Sequence, residues 1–149
     1  MADPGLLRLI HVAGAVLLLG NVTVTGFWAA YLYRARGRVP FRPVARGILW
    51  ADLVFTLTGA TMLVVSGILL IRIRGYALAE NPWLCRGIGA LAASTALWLV
   101  LLLPDQWRLQ RADPADDAAL GRIFRRWSVV GWTATAFLFY GLWAMVSKA

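Results

Sequence analysis

Two side chains with chemistry to offer lie inside long apolar runs: His11, the chain's only histidine, and Asp52, the only acid within such a run. Neutral imidazole is a good ligand for iron, copper or zinc, and helix bundles commonly hold haem between their helices. Ligation of one haem by two histidines of the same chain is excluded; a single axial ligand, or a haem shared across a symmetric dimer, stays open. The plainer alternative is an imidazole near the headgroups, hydrogen-bonded to a carbonyl or to water. An intramembrane carboxylate is a candidate proton relay or cation site, yet Asp52 lies close enough to its run's end for a structural ion pair with Arg46 or Arg126. Cys85, expected at the depth of His11, offers a second soft ligand or an inert buried thiol. Arg8 and Arg86 are placed to meet a propionate or phosphate, or to snorkel to headgroups. Asn21, Thr56, Ser94 and Ser128 complete the interior polar set, Asn21 as a donor or acceptor between helices.

Other chemistries lack their residues. The sequence has no H-E-x-x-H, C-x-x-C, P-loop or dinucleotide glycine fingerprint. No acid is expected at the depth of His11 to orient it for a hydrolase triad. Four runs without inverted halves argue against a self-sufficient secondary transporter.

The elements that must position these residues are four apolar runs, approximately 6–33, 47–71, 83–103 and 127–146. Hydrophobic residues make up 60% of the 149, only 15% are charged, and the mean hydropathy is +0.69. The charges sit in short clusters between the runs, the pattern of a polytopic membrane protein. The first run alone rises about 42 Å as a helix, more than a bilayer's hydrocarbon core of roughly 30 Å. A backbone crossing lipid satisfies its own hydrogen bonds, so helices follow. The net charge of +8 flanks these runs instead of covering one face, so it is no nucleic-acid footprint. Met1-Ala2-Asp3-Pro4 lacks the basic start of a cleaved signal peptide.

Spacing predicts which sides face inward. His11, Gly14, Leu18, Asn21, Thr25 and Trp28 recur at heptad spacing on the first helix. Asp52, Thr56, Gly59 and Ser66 share a side of the second. Cys85, Gly89, Ala92 and Ala96 form a small-residue seam on the third, and Ser128, Gly131 and Thr135 do so on the fourth. Pro40 and Pro43 read as helix stops. Between the third and fourth runs, Asp113 capping, Pro114 at the first position and Arg122, Arg125 and Arg126 in the last turns predict a short amphipathic helix. The expected fold is all-α, a four-helix transmembrane bundle of up-down topology with that short cytoplasmic helix before the last span. Ten arginines lie in the first and third connections, against Arg8, Arg72, Arg74, Arg86 and Lys148 on the other side. The positive-inside rule then puts the arginine-rich side in the cytoplasm and both termini outside.

The segments "LIHVAGAVLLLGNVTVTGFW", "ARGILWADLVFTLTGATMLVVSGILL" and "RRWSVVGW" resemble a bacterial family of four-helix integral membrane proteins catalogued as a domain of unknown function, series 2269. Trp50-Ala51-Asp52-Leu53 is the most specific piece, and the resemblance implies a fold and an inner-membrane location, with no assigned reaction. More distantly, His11, Gly14 and Gly20 resemble the opening helix of HemJ-type protoporphyrinogen oxidases and copper-resistance-D-like membrane proteins. That likeness implies b-type haem at His11. The chain departs from it at Leu18, where an aromatic is usual, and in lacking a lysine in its third span, so the HemJ oxidation does not transfer.

Three readings follow, and the sequence does not decide whether the chain is an enzyme. One is a haem- or metal-binding redox module, with His11 as ligand and Arg8 or Arg86 on propionates. Another is a non-catalytic accessory or assembly subunit, and the third an oligomeric channel or carrier with Asp52 in its pathway. In each, the lipid bilayer is a partner, a homo-oligomer or a larger membrane complex is compatible, and nucleic acid is not.

Overall fold

The computed structural model describes residues 3–113 and 115–148. It contains four long helices: α1 (Pro4–Arg34), α2 (Phe41–Arg74), α3 (Pro82–Arg111) and α4 (Asp117–Ser147). A single 3-10 turn, Leu78–Glu80, lies between α2 and α3, and no strand occurs among the described residues. The helices carry mean hydropathies of 1.5 to 2.2 over their most apolar windows, and each is long enough to cross a bilayer. Val16, Val24, Val54, Val65, Val100, Val129 and Val146 stand at least half exposed on their outer faces. Apolar surface on this scale needs lipid around it.

The helices reach further than the hydropathy runs, for local reasons. Asp3 caps α1, its carboxylate accepting from the Gly5 amide at 2.9 Å, and Pro4 occupies the first turn. Pro43 does not stop a helix; it lies in the first turn of α2, where amides have no partner to lose. Gly75 ends α2 in the left-handed conformation, with φ 65°. Pro104 does not end α3. A π turn at Trp98–Leu102, closed by the Leu103 amide on the Trp98 carbonyl, lies just before it, where the wider winding makes room for the ring and its missing N–H. A second π turn, Asp52–Thr56, sits inside α2.

The segment expected to form a separate short helix is the opening of α4, which runs unbroken from Asp117 into the apolar stretch. Its cap is Asp116, accepting from the Ala119 amide at 2.8 Å. Asp113 instead holds a turn through the Ala115 amide, and Pro114 lies outside the described residues.

Each helix packs on its sequence neighbours, and α4 closes back onto α1, while the backbones of α1 and α3, and of α2 and α4, stay apart among the described residues. Across the neighbouring pairs Gly14 meets Gly59, Gly26 meets Trp132 and Gly87 meets Met145. The α1–α2 seam is the tightest. A Cβ on Gly14 would lie 2.9 Å from the Gly59 carbonyl oxygen, and one on Gly59 would lie 2.8 Å from the Leu18 amide nitrogen. The buried seam of α3 is Leu84, Gly87, Ala90 and Ser94, not the expected Cys85, Gly89, Ala92 and Ala96, which are exposed. Small residues occupy both sides of that helix, and Gly141 and Met145 of α4 select the first set. On α1, Trp28 is half exposed and Ala29 is buried in its place. Eighteen residues make about five full turns, so Ala29 lies over His11, whereas a heptad repeat drifts off a straight helix.

The densest core lies at the arginine-rich end. Tyr33 and Phe124 stack with centroids 3.8 Å apart, Phe41 meets both edge-on, and Leu109, Leu120 and Trp127 close the cluster. There the backbones of α2 and α3 come together, through Phe41–Ala51 and Leu103–Arg111.

Candidate functional site

Diagonal helices whose backbones stand apart leave space between them, and here polar side chains border that space. Asp52, 6% exposed, opens the π turn of α2 and directs its carboxylate to the centre of the bundle. Asn21 of α1 donates from Nδ2 to Asp52 Oδ1 at 3.1 Å and to Thr56 Oγ1 at 2.9 Å. The Thr56 hydroxyl donates to the same Oδ1 at 3.1 Å, and Gln106 of α3 donates to Oδ2. A carboxylate only accepts, which sets both amides with their nitrogens toward it. No arginine reaches it. Arg126, one of its expected partners, instead forks onto Asp105, with Nε 2.7 Å from Oδ2, and Arg108 adds a bond at 3.2 Å. Arg46 has no carboxylate partner among the described residues.

Beyond Asp52 lies a chamber of about 110 Å³. Leu18, Leu57, Leu91, Leu102, Leu138 and Trp132 supply most of its walls; Ser94, Ser128 and Thr135 add hydroxyls. Trp98, Gln106 and Trp127 also line it; Trp127 Nε1 and Gln106 Oε1 are buried with no hydrogen-bond partner, and Trp98 Nε1, close to the Asp52 carboxylate, makes no well-formed bond either. Orphaned buried polar groups are rare and costly. Three such atoms among the residues that line one chamber, beside a buried carboxylate, supply two donors and an acceptor. Both π turns lie here, contributing Asp52 and Thr56 from one and Trp98 and Leu102 from the other. Such turns recur at functional sites because they re-aim side chains out of helical register.

His11 faces α2. Its Nδ1 lies 3.1 Å from the Leu63 carbonyl oxygen and 3.0 Å from Ser66 Oγ, and its ring packs against Gly67. Ser66 donates its own hydrogen to the Met62 carbonyl, so both neighbours of Nδ1 act as acceptors. Nδ1 therefore carries the proton, and Nε2 holds the lone pair. Arg8 and Arg86 are exposed, and Arg86 stands on α3, whose backbone stays apart from that of α1. The same holds for Cys85, an exposed residue whose thiol donates to the Leu78 carbonyl at 3.3 Å. The fold thus brings Asn21, Asp52, Thr56, Ser94 and Ser128 around one chamber, and does not bring His11 together with Arg86 or Cys85. Outside the spans, the Asp117 carboxylate beside Arg36 holds that guanidinium above its ordinary value.

Gln106, Trp98, Trp127 and Asp105 were not among the residues expected at a site. Pro104 suggested that the third helix had ended, although Leu91, Ser94, Trp98, Leu102, Gln106 and Leu109 keep helical spacing straight across it.

Four long apolar helices around a half-polar interior define a helical integral membrane protein. A family model described as predicted integral membrane protein, domain of unknown function 2269, matches residues 5–149. The chain belongs to that family. No curated protein and no solved structure matches it.

Proposed function

We propose that this chain is a membrane-embedded binding protein whose working part is the Asp52 chamber. Its ligand is a small apolar molecule bearing a hydroxyl or carbonyl group. One observation carries this reading: Trp98 Nε1, Trp127 Nε1 and Gln106 Oε1, on three residues that line the cavity, all lack a well-formed partner. A hydroxyl accepts from an indole and donates to the amide oxygen, while the aliphatic walls take the body. The volume approaches the roughly 150 Å³ that admits a benzene-sized ring. Fluorine NMR on full-length protein labelled with fluorotryptophan tests it with phenol and benzene as probes. Phenol is expected to shift the Trp98 and Trp127 resonances, assigned through Trp98→Phe and Trp127→Phe, at concentrations about tenfold below benzene, with Gln106→Leu removing the difference. Equal affinity for the two probes would refute the reading in favour of an apolar chamber that recognises no hydroxyl.

A second reading, the haem or metal module, is supported by the His11 tautomer. Metal-bound histidines commonly donate the other ring nitrogen to a carbonyl, as Nδ1 does here to Leu63, leaving Nε2 for the ion. His11 would hold the iron of a b-type haem and Arg8 is near enough along α1 to serve a propionate; bound haem supplies one-electron chemistry. Remaining ligands would come from a second copy or solvent, since no three His, Cys, Asp or Glu side chains cluster among the described residues. A Soret band lost in His11→Ala, with the fold retained, is the expected result; a colourless protein expressed with haem supplied refutes it.

The placement proposed with these readings is a bacterial inner membrane, up-down order, the arginine-rich end cytoplasmic and both termini outside. In a Cys85→Ser background, an impermeant thiol reagent on intact cells is expected to label Ser147→Cys. Labelling only after lysis reverses the orientation.

A further inference from the structure

The arginine-rich end has a groove that the Asp52 chamber does not use. It lies where the start of α2 meets the end of α3, has a volume of about 670 Å³, and is lined by Arg42, Arg46, Arg111, Gln110, Trp107 and Leu49. No carboxylate lines it, and none of the three arginines has an acidic partner among the described residues. Arg42 is fixed in place by donating Nε to the Gln110 carbonyl at 2.6 Å, which leaves its two terminal nitrogens uncommitted. Gln110, which also lines the groove, has its Nε2 buried without a partner. Trp107 is 53% exposed beside them, and Trp50, one turn along α2 from Arg46, is 58% exposed. Tryptophans of this exposure at a helix end mark the headgroup level.

From this we infer that the groove is a binding site for the headgroup of an anionic phospholipid. Guanidinium forks and an amide N–H suit phosphate oxygens, and basic pockets between helix ends are suited to anionic headgroups. The indole of Trp107 and the Leu49 side chain offer the glycerol and upper acyl region an apolar wall. A free phosphate ester would satisfy the arginines equally but leave that wall uncovered, which is why the lipid is the favoured source.

The test uses the full chain in neutral detergent, with brominated phosphatidylglycerol or brominated phosphatidylcholine titrated in. Quenching present in the wild type and missing in Trp107→Phe isolates the groove from the other seven of the eight tryptophans. Half-quenching by phosphatidylglycerol is expected at a mole fraction at least tenfold below phosphatidylcholine. Basic residues near a membrane surface act at roughly fivefold each, so Arg46→Gln with Arg111→Gln weakens it about twenty-five-fold. Arg34→Gln with Arg38→Gln removes the same charge from exposed positions outside the groove and is expected to have an effect at least fivefold smaller. Equal effects from both pairs, or equal quenching by both lipids, would overturn the site in favour of general surface attraction. Full displacement by millimolar glycerol phosphate would overturn the lipid as its occupant.

Discussion

Replacing Gly14 with alanine tests the packing that holds both candidate sites together. The added methyl would lie 2.9 Å from the Gly59 carbonyl oxygen, 2.9 Å from Met62 Cβ and 3.0 Å from the Leu63 amide nitrogen. Two of these are backbone atoms, which cannot rotate away, so α1 and α2 must part by roughly half an ångström. Overpacking of this kind costs about 1–3 kcal/mol. The separation also lengthens the bonds flanking the contact, from His11 to Leu63 on one side and from Asn21 to Asp52 on the other. Losing one of them adds about 0.6 kcal/mol in a membrane interior. The sum is about 2–4 kcal/mol, which for a chain of this size lowers the unfolding midpoint by roughly 5–15 °C. The assay is thermal unfolding in neutral detergent, followed by near-ultraviolet circular dichroism. Gly20→Ala is the control, because a Cβ there meets nothing within 4 Å; better helix propensity gives it a gain of up to about 1 kcal/mol. The same chemical change is thus expected to have opposite signs at two positions less than two turns apart. Midpoints for Gly14→Ala and Gly20→Ala that agree within a degree would refute the close α1–α2 contact.

Phe124→Ala, which removes the ring stacked on Tyr33, is expected to cost about 3–5 kcal/mol by the same assay, whereas Phe55→Ala, on the outer face at 46% exposure, changes the midpoint little. Arg126→Gln is expected to lower the midpoint more than Asp105→Asn: the first leaves a fully buried carboxylate with only Arg108 at 3.2 Å, the second frees a guanidinium that is half exposed. Asp117→Asn, at a solvent-exposed pair with Arg36, is expected to leave the midpoint unchanged, checked at low and high salt.

Hydropathy made the four helices legible because lipid demands long apolar helices and little else produces them. Most of the inward sides of α1 and α2 was readable too, since Gly14, Asn21, Asp52, Thr56, Gly59 and Ser66 are polar or small residues at helical spacing, although Trp28 turned outward and Ala29 is buried instead. α3 was not. Its small residues line both sides, and only Gly141 and Met145 of a distant segment decide which side is buried. The other half of the chamber was hidden by Pro104, because a proline ordinarily ends a helix and nothing local announces the π turn that accommodates it. The Asp105–Arg126 pair was invisible for the same reason: it needs a helix to exist where a turn was expected. What Asp52 touches therefore followed from how α3 continues, not from the charges nearest in sequence.

The joints between the two halves of the molecule are unevenly distributed. α1 is zipped to α2 through Gly14 and Gly59, and α3 to α4 through Gly87, Ala90 and Gly141. The ties from one couple to the other, Phe41–Ala51 on Leu103–Arg111, Asp52 on Gln106, Gly26 on Trp132 and Tyr33 on Phe124, lie toward the arginine-rich half. Such a body works like a clothes-peg, stiff at the sprung end and free to spread its jaws at the other. Anything that alters bilayer thickness or wedges between the jaws moves their tips most and the aromatic spring least. The chamber sits just above that spring, where a wide movement of the tips arrives as a small change in gape.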